Sequence, residues 1–517
     1  ARKPGLGRSK LDLNRFCLVS FFNNVRKGQP DEYRTPFYKG KTVEEILAGW
    51  DDTLSSIKNT WPSLYEFEND LRSKVGPMSI MKPLSERLDD IDSYYDSIFL
   101  ESKPVSKAAV DALAKEWVPK IGGLRLRSQH RTVELMKKST NSGAPYFTKR
   151  NSVLSKSFPC HLTEHMEMLT PDGDWTACAV LGWRGQEGGP AKDDVKQRVV
   201  WMFPFSVNIA ELQLYQPLIE ACQRSHCVPS WIGMDAVDEE ITKMFDTKHP
   251  DDDVICTDFS KFDQHFNHDM QQCALEVLDL LTTNTPAYME WRNTVFPVKY
   301  RIPLAYDWNT VRTGSHGMAS GSGGTNADET LAHRCLQHEA AILAGKQLNP
   351  HSQCLGDDGV LTYPGIKVDD VVRSYSAHGQ EMNPDKQYVS KQDCVYLRRW
   401  HHVNYRVNGV CVGVYSTYRA LGRLAEQERF WSDWSREMVA LRQLSILENV
   451  KYHPLREEFV DYVMKGDKYR LGLDIPGFLS NVTKIAKEAT DLLPDFLGYT
   501  KSMQKDVGID QWWIVQY

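Results

Sequence analysis

The chain is 517 residues long, with a formal net charge of −6, 41% hydrophobic and 25% charged residues; such a composition is ordinary for a folded protein of roughly two to four domains with a substantial core. That balance excludes an overall basic field, so any surface for nucleic acid must be local. Eleven cysteines, an odd number without a Cys-x-x-Cys pair, argue against a zinc site and a disulfide framework, and no apolar run approaches the roughly 18 residues that span a bilayer.

In chain order, Ala1-Arg-Lys-Pro lacks the apolar core of a signal peptide. Thr42-Val-Glu-Glu45 ahead of Ile46-Leu47 has capping-box spacing and predicts a helix in an N-terminal extension. Gly40-Lys41-Thr42 is not a P-loop, because Thr35 stands where that motif requires glycine. From Lys120 to Arg150 eight basic residues face one acid, Glu134, a run suited to tracking phosphates. Arg184–Pro190 reads as a loop by composition and leads into the basic segment Lys192–Arg198. Asp251-Asp-Asp253 reads as a solvated turn before Val254-Ile-Cys-Thr257, an apolar and partly β-branched stretch that predicts a buried strand.

Further on, the glycine-rich Ser320–Gly324 opens onto a helix over Ala327–Leu343, ended by Gly345. Gln353-Cys-Leu and Val360–Tyr363 predict a hairpin with Asp358-Gly359 in its tight turn. Beyond about residue 415 the pattern is helical, with Trp434, Met438, Leu441 and Leu444 as core positions. The C-terminal Trp512-Trp-Ile-Val-Gln-Tyr517 is too apolar for solvent. It is expected to dock on its own domain; a sharper expectation has one of its aromatic rings entering the catalytic cavity to support unprimed initiation.

Three segments in order carry the chemistry: Asp258-Phe-Ser-Lys-Phe-Asp263, Ser320-Gly-Ser-Gly-Gly-Thr325 and Gly356-Asp357-Asp358. A carboxylate at the end of a buried strand, set beside a hairpin tip bearing two more, would hold divalent ions of the hard, oxygen-seeking kind. Two such ions roughly 3.5 to 4 Å apart serve nucleotidyl transfer. Each segment alone usually marks a turn or a loop; their order and intervals carry the reading.

These segments resemble motifs A, B and C of right-hand RNA-dependent RNA polymerases. Ser142-Gly-Ala-Pro145 resembles motif G, Lys196-Gln-Arg198-Val-Val-Trp201 motif F, Asn383-Pro-Asp-Lys386 motif D and Val395-Tyr-Leu-Arg-Arg399 motif E, covering roughly residues 140 to 400. The stretch Gly317–Asp328 looks most like polymerases of small segmented double-stranded RNA viruses, picobirnaviruses before partitivirus-like enzymes. The resemblance implies that Asp258 and Asp357 hold two Mg²⁺ or Mn²⁺ ions, with Asp358 a weaker or outer partner, and that Lys386 protonates the departing pyrophosphate. It implies nucleotide contacts from Lys192, Lys196, Arg198, Ser320, Gly321 and Thr325, and reading of the ribose 2′-hydroxyl by Asp263. Family members commonly carry Asn four residues after the motif B threonine, where this chain has Glu329; Asn326 is therefore the expected partner of Asp263. RNA contacts are expected from Ser142, Gly143, Pro145, Arg398 and Arg399.

The implied fold is α+β, a right hand closed by an N-terminal extension: extension 1–75, fingers 76–245, palm 246–415 with a fingers insertion at about 275–312, and a helical thumb with tail at 416–517. The palm would be an antiparallel sheet flanked by helices. Template and product RNA, NTPs and the viral capsid protein are the implied partners, without a membrane, in the virion interior or host cytoplasm. A reverse transcriptase and a non-catalytic RNA-binding or capsid-associated protein stay open as alternatives; Asp263 argues against the first.

Overall fold

In the computed structural model, residues 16–429, 434–488 and 509–517 are described. The expected buried strand forms at Val254–Thr257, and all four of its residues are buried. It lies inside a four-stranded antiparallel sheet, between Asp358–Leu361 on one side and Tyr388–Ser390 on the other, with Gln353–Leu355 at the edge. Alternation of side chains divides its two faces. Val254, Cys256 and Val360 join Val237, Ile241 and Met244 of helix Met234–Thr247. Ile255 and Leu361 belong to the larger core that also holds Leu331, Cys335 and Leu336 of helix Thr325–Leu343.

Around this sheet lie two others that shape the cavity. Ala179–Gln186 pairs antiparallel with Lys196–Met202 and parallel with Leu304–Asp307. The expected loop at Arg184–Pro190 is thus partly strand, because Arg184–Gln186 pairs with Lys196–Arg198. Gly185 does not break the strand; it lets the Met78 carbonyl approach where a Cβ would overlap it. The third sheet joins Asp393–Tyr396, Arg399–His402 and Val414–Tyr415.

The N-terminal segment reaches both sides of the molecule. Helix Phe16–Lys27 lies against strand Leu304–Asp307, with Arg26 paired to Asp307. Thr42 caps helix Val43–Ser55 as its spacing predicts, its hydroxyl accepting the Glu45 amide at 3.1 Å. That helix and Pro62–Arg72 place Trp50, Leu54 and Leu64 in one core with Tyr418, Leu421, Leu441 and Leu444 of the C-terminal helices. Glu68, fully buried, accepts the Thr417 and Tyr418 amides at 2.7 and 3.2 Å, occupying the N-terminus of helix Thr417–Ala425 where a negative charge is favoured.

Leu441 and Leu444 are core residues of helix Arg436–Glu448 as expected, whereas Trp434 precedes its cap, Ser435. The tail docks on that same helix: the Trp513 and Ile514 amides donate to the Glu448 carboxylate at 3.3 and 3.0 Å. No described tail residue lines the cavity below, so the sharper expectation for these aromatics fails. The ten cysteines from Cys160 to Cys411 are free and all but Cys227 are buried. No described helix is long and apolar enough to cross a membrane.

Candidate active site

Register brings the acids together. Thr257 faces Gly359 across the central sheet, so the next residues along, Asp258 and Asp358, are cross-strand neighbours at the sheet's end. The hairpin turn is Gly356-Asp357 and not Asp358-Gly359, since Leu355 pairs with Asp358. Gly356 adopts φ +56°, which glycine takes without strain. Gly359 stays in the strand because the ring of His333 sits 2.7 Å from where its Cβ would be.

The backbones of Asp258 and of Gly356, the neighbour of Asp357, are both gripped. Gln387 accepts the Asp258 amide at 2.7 Å and donates to its carbonyl at 3.0 Å. On the hairpin, Thr330 accepts the Gly356 amide at 3.0 Å, and His333 Nδ1 lies 2.8 Å from the Gly356 carbonyl. A carbonyl requires a donor, so that nitrogen carries the proton. Burial holds the His333 ring neutral, its pKa lowered to about 4.

These acids open onto a cavity of about 650 Å³. Asp258, Asp357, Asp358 and Lys386 line it from the central sheet, and Lys196, Arg198 and Arg398 face them. Burial and then the Asp357 charge raise the pKa of Asp258, and the same two causes push Asp358 up to about 7, against the Leu397 amide that donates to it at 2.8 Å. Burial and then Lys74 lower the pKa of Lys196; burial and then Arg419 bring Arg398 down to about 10. The cavity is therefore a place of opposed, closely spaced charges. Among the described residues no three acidic, His or Cys side chains stand close enough to hold an ion as they are.

Other expected site residues lie outside the lining. Asp263 is half-buried and hydrogen-bonded to Glu329, not to Asn326. Asn326 accepts instead from the Trp231 indole at 2.8 Å. Glu329 is 3% exposed and its Oε2 receives no donor from the protein. Burial and then Asp263 hold Glu329 well above the usual carboxylate range, so Glu329 carries a proton and donates it to Asp263. Ser320 bridges to the motif F strand, donating to the Val199 carbonyl at 3.3 Å and accepting the Trp201 amide at 3.4 Å. At Gly321 any Cβ would overlap the Trp201 carbonyl. Thr325 closes its own loop by donating to the Ala319 carbonyl at 2.9 Å.

Three further placements differ from expectation. Arg399 is 5% exposed and forms a two-pronged pair with Asp238 at 2.7 and 2.9 Å, which occupies it within the protein. Ser142, Gly143 and Pro145 are buried; the Ser142 hydroxyl accepts the Thr148 amide at 3.1 Å, and Gly143 lies against the Phe203 carbonyl. Lys192 is exposed but does not line the cavity. Residues that sequence reasoning missed are Glu329 as the partner of Asp263, Gln387, and Lys74. The signal for the first was its position four residues after Thr325; nothing in the sequence pointed to Lys74.

An antiparallel sheet that ends in cross-strand aspartates, with basic strands facing them and helices behind, defines a template-dependent nucleotidyltransferase of the right-hand type. The comparisons agree. A family model described as viral RNA-dependent RNA polymerase matches residues 127–407. A potential RNA-dependent RNA polymerase of human picobirnavirus (strain Human/Thailand/Hy005102/-) is 61% identical over 512 residues, covering 96% of each chain. The crystal structure of the RNA-dependent RNA polymerase of a human picobirnavirus is 60% identical with a TM-score of 0.93, covering 98% of this chain and 97% of that one. An insertion-loop deletion mutant of such a polymerase matches at 58% identity and a TM-score of 0.92, with the same coverage. The chain belongs to the viral RNA-dependent RNA polymerases. Its activity is RNA-directed transfer of nucleotides, with RNA and NTPs as partners and the divalent-metal dependence general to that family. Neither the reverse transcriptase nor the non-catalytic alternative is favoured by these relatives.

Proposed function

We propose that Asp258 and Asp357 hold two divalent ions, Mg²⁺ or Mn²⁺, with Asp358 as the weaker partner, and that the cavity extends RNA on them. The supporting observation is the strand register that sets Asp258 opposite Asp358, with Asp357 at the turn, beneath Lys196 and Arg198. The donor set fits: it consists of hard carboxylate oxygens, and Asp358, pushed up by burial and by Asp357, is a group that a cation relieves. When bound, such ions lower the pKa of the 3′-hydroxyl and neutralise the leaving pyrophosphate.

The chain's own groups do the rest by positioning. Lys196 and Arg198 hold the triphosphate, with Lys192 upstream on the approach. Asp263, fixed by the Glu329 proton, accepts from the ribose 2′-hydroxyl and so selects ribonucleotides. Lys386, in the turn Pro384–Lys386 at the cavity edge, delivers a proton to pyrophosphate. The loop Ser320–Thr325 and the buried Ser142-Gly143-Ala-Pro145 loop shape the nucleotide and template paths, and Arg398 faces the growing strand.

In this reading the extension is 1–75, the fingers 76–245, the palm 246–415 with an insertion at about 275–312, and the thumb and tail 416–517. The enzyme transcribes and replicates a double-stranded RNA genome inside the virion or in the host cytoplasm, in contact with the capsid protein. The test is incorporation of labelled NTPs on an RNA template with Mg²⁺ or Mn²⁺, beside the Asp357→Asn variant. Loss of incorporation with RNA binding retained is expected; full activity of Asp357→Asn would refute the assignment.

A further inference from the structure

We propose that Lys74, supplied by the N-terminal extension and outside every motif, contacts the polyphosphate of the incoming nucleotide and of the departing pyrophosphate. The inference rests on the reading of the cavity given above. It begins with two close backbone approaches. Immediately after Lys74, Val75 is buried against helix Thr417–Ala425, where a Cβ at Gly422 would stand 2.8 Å from its Cγ1. At Gly76 a Cβ would overlap the Gly189 carbonyl. The chain next to Lys74 is therefore wedged between the C-terminal helices and the loop between the two basic strands. That wedge fixes where the ammonium group can reach.

Its reach is into the catalytic cavity, whose lining Lys74 shares with Asp258 and Lys196. A nucleotide whose phosphates run from ions at the aspartates to Lys196 must pass between those two residues. Lys74 lines the same cavity as both of them. Three of the cavity arginines are engaged within the protein. Arg419 is paired with Glu187, which also lies 4.0 Å from Arg398, and Arg198 donates to Gln186 at 2.8 Å. Lys74 is paired at 3.3 Å with Asp70, and both side chains are exposed, a pairing that binds weakly and yields to phosphate.

The experiment is single-nucleotide addition by the full chain on a preformed RNA primer and template, with NTP concentration varied and inorganic pyrophosphate added as product inhibitor. Lys74→Ala is expected to raise the KM for NTP and the inhibition constant for pyrophosphate about tenfold each, the loss of one charge-assisted hydrogen bond. RNA affinity and melting temperature should stay as in the parent, and Lys74→Arg should restore both constants. Unchanged constants in Lys74→Ala would overturn the proposal. So would a parallel fall in RNA affinity, which would make Lys74 a contact to the RNA backbone. Asp357→Asn in the same assay separates the two readings: if it stays active the cavity assignment is wrong, and if it is inactive while Lys74→Ala behaves as parent, this inference alone falls.

Discussion

Glu211→Gln should flatten the pH dependence of this enzyme's stability. Glu211 is 0% exposed on helix Phe205–Ser225. Its carboxylate accepts the Ser322 hydroxyl and, at 3.1 Å, the Gly323 amide, which ties the glycine loop of motif B to that helix. Burial pushes its pKa up to about 7 from the ordinary 4.5; Lys299 and the two loop donors pull it back, and Asp328 adds to the rise. The folded state thus binds this proton more tightly than the unfolded state does. Stability from this group is complete below about pH 4.5, falls as pH rises through the window to about 7, and is flat above. The 2.5 pH units of that window, at about 1.4 kcal/mol each, make roughly 3 kcal/mol. Glutamine keeps an acceptor for Gly323 and a polar group for Ser322, but cannot ionise. The assay is the melting temperature of both proteins at pH values spanning that window, with all other titrating groups shared between them. The gap should open in favour of Glu211→Gln toward high pH. Parallel curves throughout would refute both the shifted carboxyl and its burial as the cause.

Two further substitutions test neighbouring arrangements. Glu329→Gln retains a donor toward Asp263 and should keep the preference for NTP over dNTP on one RNA template, whereas Glu329→Ala should lower it about tenfold; an unchanged ratio in the alanine variant would remove Glu329 from ribose selection. Lys299→Met strips the partner from Asp328, which Lys299 meets at 2.9 Å with both side chains fully buried. It should cost roughly 3 to 5 kcal/mol in denaturant unfolding, and a loss below about 1 kcal/mol would mean that Tyr215 and Tyr300, which donate to Asp328 at 2.7 Å each, suffice.

Much of the catalytic centre was legible because its signals are local. A β-branched stretch before Asp258, a two-strand pattern around Gly356 and a glycine run before a helix former each specify their own geometry, and all three elements form. Thr42 likewise declares its helix through one hydrogen bond three residues away. What misled was chemistry decided at a distance. Arg398 and Arg399 are adjacent and alike in sequence, yet one faces the cavity and the other is spent on Asp238, 161 positions away, because strand Arg399–His402 packs on helix Met234–Thr247. Asn326 and Glu329 lie one turn apart on a single helix, and only burial beside Asp263 determines that the acid is the partner. The hairpin turn was misplaced for a similar reason: Gly359 resembles a turn glycine until the His333 ring from another element explains its missing side chain.

Hydrogen bonds hold the backbone on both strands of the acidic cluster. Gln387 holds Asp258 through both its amide and its carbonyl, and Thr330 and His333 do the same for Gly356 beside Asp357. Each clamp consists of two hydrogen bonds, and leaving their buried partners unsatisfied would cost on the order of 1 to 3 kcal/mol per group. Rotating a side chain about its χ angles costs far less, since staggered positions are close in energy. The strand ends are therefore held more firmly than the carboxylates they carry. Thr330 and His333 sit on the helix that the motif B loop opens, so the turn bearing Asp357 and the loop Ser320–Thr325 are joined through one helix. The turn bearing Asp357 is thus held by the helix that follows the glycine-rich loop, whereas the clamp on Asp258 comes from the segment carrying Lys386.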